Sequence, residues 1–294
     1  MDKDGLPPLR EVISRHQLQA RKSLGQNFLT DLNLTRKIAR RSNGIGASNL
    51  KDSIIYEVGP GPGALTRALL MEGAHKVVAV EMDPRCISAL QEIQTAYPEK
   101  LEVIQGDALD MDEPQIIRNP ENRPVKIIAN LPYNIGTALL IKWLTVADWL
   151  PWYSSLTLMF QKEVGQRIVA GPGSKAYGRL SVLSQYRAEA KIMFDVPARA
   201  FIPAPKVTSC IIALAPKAEA ANTPKQKILE KIVYAAFNQR RKMLRTSLKA
   251  LGTDPLPALA AANITPTSRA EELSVTDFCR LAKAFEDQSS LVIS

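Results

Sequence analysis

The stretch Ser53-Ile-Ile-Tyr56-Glu57-Val58-Gly59-Pro60-Gly61-Pro62-Gly63-Ala64-Leu65 decides how the rest of the chain is read. Ser53–Val58 is short, rich in β-branched residues and bounded by turn formers, which is the pattern of a strand. Leu65–Met71 continues at helical spacing and stops at Gly73. Glycines between a strand and a helix let the backbone approach a ligand with no Cβ in the way. Such a loop discriminates little by itself, because dinucleotide-binding folds also carry one. Here the spacing is G-x-G-x-G with two prolines, not the G-x-G-x-x-G that cradles a pyrophosphate. That departure favours a nucleoside ligand without phosphates.

Outward from this loop the same alternation repeats. Lys76–Glu81, Leu101–Gln105 and Val125–Ala129 read as strands, and Pro84–Tyr97 as a helix opened by Asp83-Pro84. Alternation of this kind implies an α/β fold of parallel strands with helices on both faces. A fifth strand is expected at Leu156–Phe160, and Lys191–Val196 with Val207–Leu214 form a closing pair around the loop Pro197–Pro205. Ala215–Pro224 is rich in Ala and Pro and reads as a linker. Beyond it the pattern is helical only, over Lys225–Phe237, Gln239–Leu251, Leu256–Ala262 and Val275–Asp287, with a capping box at Ser268-Arg-Ala-Glu271. The expected organisation is a basic extension at 1–24, an α/β domain at 25–216 and a helical domain at 217–294.

Composition bounds the function. Of 294 residues, 46% are hydrophobic, enough for a real core. Lys+Arg number 38 against 29 Asp+Glu, a formal charge of +9. This fits a polyanionic partner, because Lys and Arg that neutralise phosphates release counterions; charge alone is equally compatible with a soluble protein that is merely basic. Cys86, Cys210 and Cys279 are far apart, no CxxC pair exists, and His16 and His75 stand alone. Metal-ligand spacing is therefore absent, and the cysteines read as small buried hydrophobes in a reducing compartment. No apolar run approaches the ~20 residues that span a bilayer, and the N-terminus lacks the apolar core of a signal peptide. A cytoplasmic protein with no membrane partner and no metal is expected.

Three strand ends carry usable polar groups. Glu81 ends the second strand, where a carboxylate accepts from ribose hydroxyls. Asp107 follows the third strand and suits the amine of a bound adenine. The fourth ends in Asn130-Leu131-Pro132-Tyr133, the decisive motif. Adenine N6 is a poor nucleophile because its lone pair is delocalised into the ring. An Asn oxygen and the Leu131 carbonyl can each accept one N6 hydrogen, which favours a tetrahedral nitrogen and frees its lone pair for a methyl donor. Pro132 restricts Leu131 to extended dihedrals, and Tyr133 offers a flat face for an extruded base. Each group alone is more often a cap or turn former; together they line one crevice at the carboxyl edge of the sheet.

On these residues the chain resembles the small-subunit ribosomal RNA adenine dimethyltransferases. Four segments carry the resemblance: Ser23-Leu-Gly-Gln-Asn27-Phe-Leu29, the Glu57–Gly63 loop, Asn130-Leu-Pro-Tyr-Asn-Ile135 and Phe201-Ile-Pro-Ala-Pro-Lys-Val207. A fifth, Ala236-Phe-Asn-Gln-Arg-Arg-Lys242, lies in the helical tail. The resemblance implies a Rossmann-like seven-stranded class I methyltransferase domain with a small all-α C-terminal domain, and S-adenosylmethionine as cofactor. It implies that Asn27, Leu29, Gly59, Gly61, Glu81, Asp107 and Asn130 contact that cofactor; from the residues alone Gln26–Leu29 reads only as a loop entering the helix Leu32–Arg40. It also implies that Phe201 stacks on the target base opposite Tyr133, whereas Phe201 by itself reads equally well as a core aromatic. The implied reaction transfers two methyl groups to N6 of each of two adjacent adenosines in the terminal hairpin of the small-subunit RNA, with the small ribosomal subunit as partner and a role in ribosome biogenesis.

If Gln239–Leu251 is helical, Arg241, Arg245 and Lys249 recur at i, i+4 and i+8 as one stripe flanked by Arg240 and Lys242. The stripe is read as contacting RNA phosphates or as a solvated face. The competing readings are a large-subunit adenine methyltransferase of the antibiotic-resistance type, an RNA-binding assembly factor with secondary catalysis, and a NAD-binding oxidoreductase, the last disfavoured by the glycine spacing. Nothing in the sequence sets an oligomeric state; a monomer is the expectation.

Overall fold

The computed structural model describes residues 4–21, 24–146, 149–218 and 223–291, without the side chains of 289–291. The chain forms two compact units, one of Met1–Trp143, Pro151–Gly165 and Lys191–Pro216, the other of Leu144–Leu150, Gln166–Ala190 and Lys217–Ser294.

The first unit opens with helix α1 (Leu9–Arg15), a short strand β1 (Phe28–Leu29) and helix α2 (Leu32–Ser42). Strand–helix alternation follows: β2 (Ile54–Val58), α3 (Ala64–Met71), β3 (Lys76–Glu81), α4 (Pro84–Ala96), β4 (Leu101–Gln105), α5 (Glu113–Ile117), β5 (Val125–Ala129), α6 (Gly136–Leu144) and β6 (Ser155–Gln161). Helix α7 (Lys162–Val169) leads out of this unit and α8 (Arg179–Arg187) lies in the second one, after which β7 (Ala188–Val196), β8 (Phe201–Ile202) and β9 (Ser209–Pro216) complete the first. Seven strands form one sheet in the order β4-β3-β2-β5-β6-β9-β7. The pairs from β4 to β6 are parallel and β9 runs antiparallel to β6. Every residue of β2 and β5 is buried, as expected of central parallel strands covered on both faces. The strand order reverses between β2 and β5, and a sheet of this type opens a ligand crevice beyond the carboxyl ends of its strands at that point.

Local chemistry sets the helix starts. Asp31 caps α2 by accepting from the N–H groups of Asn33 and Leu34 at 2.9 and 3.2 Å. Asp83 caps α4, with Pro84 as its first residue.

Residues 4–18 are not a separate extension. Leu9 joins the main core and Val12 and Leu18 pack with Phe28, Cys86 and Ala89. Asp4 forms a buried ion pair with Arg67 of α3 at 2.6 Å; a guanidinium only 2% exposed requires such a partner. Lys22 and Ser23 lie outside the described residues.

The second unit contains α9 (Gln226–Asn238), α10 (Leu244–Ser247), α11 (Leu256–Ala261) and α12 (Val275–Leu291). Residues 166–190, expected with the α/β domain, belong here. Tyr177 and Val182 sit in one core with Leu229, Ile232 and Phe278, and the Tyr177 hydroxyl donates to the Leu273 carbonyl at 2.8 Å. The expected helix Gln239–Leu251 is broken. Leu244 and Arg245 donate their N–H groups to the carbonyls of Ser268 and Pro266 at 2.8 and 3.1 Å rather than to residues four earlier, so α10 starts only at Leu244 and is followed by a 3₁₀ turn, Leu248–Leu251. The capping box also moves. Ser274 Oγ accepts from Asp277 N–H at 3.1 Å while the Asp277 carboxylate accepts from Ser274 N–H at 2.8 Å, which starts α12. Cys86 and Cys210 are buried and Cys279 partly so, all as free thiols. Among the described residues, no helix is long and apolar enough to cross a membrane and no cluster of metal-ligating side chains occurs.

Candidate active site

A cleft of about 970 Å³, open to solvent, lies in the first unit at the carboxyl ends of β2, β3, β4 and β5. Its lining includes Asn27, Leu29, Gly59, Gly61, Glu81, Asp107 and Asn130–Tyr133, so the structure gathers these sequence-assigned residues into one place.

The floor is the loop after β2. Gly59 and Gly61 have φ of +66° and +56°, and a Cβ would stand 3.3 Å from Pro132 Cδ at Gly59 and 3.0 Å from the Phe28 ring at Gly61. The positive φ favours glycine at both positions, and a side chain at either would crowd its neighbour. The loop therefore runs close to both Pro132 of the Asn130–Tyr133 turn and Phe28 of β1.

Glu81 is buried at the end of β3. One carboxylate oxygen accepts from Gly61 N–H and the other from Asp83 N–H, each at 2.8 Å. Burial raises its pKa, and those two backbone donors oppose the rise. Met82 N–H adds a third backbone donor to the same carboxylate, whose roughly four lone-pair sites still allow it to accept from a ligand hydroxyl. Asp107 uses one oxygen to accept from Leu109 N–H at 2.9 Å and lines the cleft.

Asn130 donates from Nδ2 to the Asn27 main-chain carbonyl at 3.3 Å. A carbonyl only accepts, so this bond fixes which way the amide points and leaves Oδ1 as the group facing away. The turn after β5 is closed by the Pro132 carbonyl, which accepts from Ile135 and Gly136 N–H at 3.2 and 3.0 Å. That spares the Leu131 carbonyl. The Tyr133 hydroxyl shares a 2.6 Å hydrogen bond with Ser209 Oγ, and burial raises its pKa.

Phe201 does not line the cleft. It is 3% exposed, packs in the core and pairs across from Leu29 in the antiparallel β1–β8 ribbon. The structure thus gives it the core position that its residue type alone allowed. Arg241, Lys242, Arg245 and Lys249 are exposed in the second unit, while Arg240 is held by Glu271 at 2.7 Å. With the helix broken, Arg241 precedes α10 and the three cations do not form one helical stripe.

Sequence reasoning missed Gln26, Glu57 and Lys142. Gln26 donates to Asp83 Oδ2 at 3.0 Å and accepts from Arg21 N–H at 2.9 Å, strapping the segment before β1 to the cap of α4. Arg85, bonded to the same Asp83, holds that carboxyl at about 2. Glu57 is fully buried behind the loop, and burial pushes it up to about 8 although Thr66 Oγ1 donates to it at 2.7 Å. A carboxylate in the middle of an apolar strand was the available signal for Glu57. Lys142 has no sequence signal.

Three comparisons bear on this site. The family model described as "Ribosomal RNA adenine dimethylase" matches residues 17–287. The chain is 57% identical over 282 residues to "Ribosomal RNA small subunit methyltransferase A" of Azorhizobium caulinodans, covering 96% of this chain and 94% of that protein. It is 56% identical over 283 residues to the protein so described from a Ruegeria species, covering 96% and 98%. Among solved structures it is similar to a dimethyladenosine transferase from Plasmodium falciparum, at a TM-score of 0.73 and 25% identity over 89% of this chain and 98% of that one. It is also similar to the 23S ribosomal RNA methyltransferase ErmE, at 0.65 and 26% over 88% and 100%.

Proposed function

The chain belongs to the ribosomal RNA adenine dimethylase family, and we propose that it dimethylates N6 of two adjacent adenosines in the 3′-terminal hairpin of small-subunit ribosomal RNA, with S-adenosylmethionine as methyl donor. The observation that carries this reading is the amide of Asn130, whose Oδ1 is turned from Asn27 in the cleft that Gly59, Gly61, Glu81 and Asp107 also line.

The cleft residues fit the cofactor. Gly59 and Gly61 present bare backbone to the cleft, Glu81 suits the cofactor's ribose hydroxyls, and Asp107 suits its adenine amine. Asn27 and Leu29 wall the same cleft. When bound, S-adenosylmethionine supplies an electrophilic methyl group on a sulfonium.

The chain's own residues prepare the nucleophile. Asn130 Oδ1 accepts one N6 hydrogen and the Leu131 carbonyl the other, which weakens conjugation with the ring and exposes the lone pair. Tyr133 holds the extruded base by stacking. No strong general base is needed, because the methylated nitrogen becomes acidic enough to lose its proton to water. Phe201 is assigned to the β1–β8 ribbon that closes one side of the site, since its ring is already packed. Arg241, Lys242, Arg245 and Lys249 are proposed as phosphate contacts, which position RNA without reading its sequence. A ribosomal substrate places this work in the cytoplasm.

The test offers labelled cofactor with unmethylated small subunits, large subunits and DNA in parallel, followed by mapping of the modified base. Label on two neighbouring adenosines of the small-subunit terminal hairpin is expected. Label confined to large subunits would overturn the substrate, and a melting temperature raised by NAD but not by S-adenosylmethionine would overturn the cofactor.

A further inference from the structure

Lys142 lies in α6, the helix that follows directly from the Asn130–Ile135 turn. Its ammonium group points at one loop. It donates to the Ala108 carbonyl at 2.9 Å, to the Met111 carbonyl at 2.6 Å and to Glu113 Oε1 at 2.8 Å. All three acceptors belong to the segment 108–113. A lysine that only solubilised a helix would extend its ammonium into water, yet this side chain is 28% exposed and its carboxylate partner 5%.

The loop it grips connects β4 to α5 and carries Asp107. At its start Gly106 N–H donates to the Glu81 carbonyl at 3.0 Å. Asp107 accepts from Leu109 N–H at 2.9 Å, the Asp107 carbonyl accepts from Asp110 N–H at 3.1 Å, and Leu109 at the tip is exposed. The Met111 side chain folds back over Gly106, where a Cβ would meet Met111 Cε. The two carbonyls on Lys142 therefore bracket the loop on either side of that tip, and Ala108 itself lines the cleft. Glu113 is fixed from a second direction, because Trp143 Nε1–H donates to the same Oε1 at 2.9 Å and Trp143 is fully buried. At the other end, α6 starts from the Pro132 carbonyl, so helix and catalytic turn move together.

We propose that Lys142 is a positioning residue that ties the Asp107 loop to α6, setting the carboxylate that receives the cofactor's adenine at a fixed place relative to the turn that receives the target adenine. The proposal rests on the assignment of Asp107 to the cofactor. Removing the three bonds frees the loop, and the cofactor must then order it on binding, so affinity falls while the chemistry of a bound complex changes less.

The experiment uses the full chain as Asp107→Ala, Lys142→Met, the double variant and Lys142→Arg. Binding of S-adenosylhomocysteine is measured by calorimetry, and methyl transfer to unmethylated small subunits by steady-state kinetics. Asp107→Ala should weaken binding by about tenfold or more, the worth of one hydrogen bond to a charged group. Lys142→Met should raise the cofactor KM by about fivefold to tenfold with a smaller fall in kcat, and the double variant should bind within about twofold of Asp107→Ala, because two changes acting through one contact do not add. Lys142→Arg, which keeps charge and donors, should lie between wild type and Lys142→Met and serves if Lys142→Met fails to fold. Unchanged affinity in Lys142→Met beside a weakened Asp107→Ala would overturn the proposal, as would penalties that multiply in the double variant. Unchanged affinity in Asp107→Ala would instead overturn the assignment of Asp107, and the coupling with it.

Discussion

Tyr133 combines a ring assigned to the target base with a hydroxyl that already has a partner, and the two can be separated. The hydroxyl lies 2.6 Å from Ser209 Oγ, and Ser209 is fully buried at the start of β9. Tyr133→Phe keeps the ring but leaves the Ser209 hydroxyl buried without that partner, which should cost about 1–3 kcal/mol of stability. Ser209→Ala added to Tyr133→Phe removes the orphaned group, so the double variant should recover part of that loss. Methyl transfer should follow a different order. Tyr133→Ala removes the stacking face, worth about 1–3 kcal/mol per base and therefore about fivefold to 150-fold in transfer at subsaturating RNA. Tyr133→Phe and the double variant should remain within a few-fold of wild type. The assay is single-turnover transfer at saturating cofactor, run well below the melting temperature of each variant. If a folded Tyr133→Phe protein proved as inactive as Tyr133→Ala, stacking would not be what Tyr133 does, and the hydroxyl would need a chemical role.

Asn130→Ala should lower the single-turnover rate by about 10²–10³-fold with little change in RNA affinity, as for one preorganised polar group; weaker RNA binding at an unchanged rate would refute a transition-state role. Neutralising Arg241, Arg245 and Lys249 together should leave cofactor affinity intact and flatten the salt dependence of RNA binding by about 0.7–0.9 for each phosphate no longer neutralised, and an unchanged slope would make these residues solvated surface. Glu57 titrates at about 8 when folded against 4.5 ordinarily, so the folded state binds the extra proton between those values. Its contribution is fully present below pH 4.5 and is lost as pH rises through 8, a span on the order of 5 kcal/mol. Urea unfolding of wild type and Glu57→Gln at pH 6 and 9 checks this, and equal slopes with pH in both proteins would refute it.

The strands that carry the site were legible because each is a short run with β-branched residues and a turn former at its end, although of β4 only Leu101 is buried. Lys76–Glu81, Leu101–Gln105 and Val125–Ala129 are observed with the bounds that the sequence implies, and Glu81 falls on such a bound while Asp107 and Asn130 follow one closely. Helix α6 was not legible. Its first residue is a glycine and no Ser, Thr or Asp caps it; its start is set by the Pro132 carbonyl of the preceding turn. Helix Gln239–Leu251 failed for the opposite reason. Its periodicity is real, but the carbonyls of Pro266 and Ser268, more than twenty residues on, take the N–H groups of Leu244 and Arg245. Local pattern yields there to a non-local hydrogen bond.

The same distinction separates the site residues that sequence identified from those it did not. The roles proposed for Glu81, Asp107 and Asn130 rest on side chains whose chemistry is written in their residue type. Asn27 meets Asn130 through its main-chain oxygen, a group every residue possesses, so no property of an asparagine advertises the contact. Lys142 acts on the carbonyls of Ala108 and Met111, and neither residue type hints at a lysine's grip. The groups proposed to hold the reacting amine are the Asn130 side chain and the Leu131 carbonyl, and main-chain partners orient the side chains around them: the Asn27 carbonyl for Asn130, and the N–H groups of Gly61 and Asp83 for Glu81. A substitution at Asn27 that preserved the backbone would keep the Asn130 amide turned the same way, whereas a change in the course of β1 would turn it without touching a single catalytic residue.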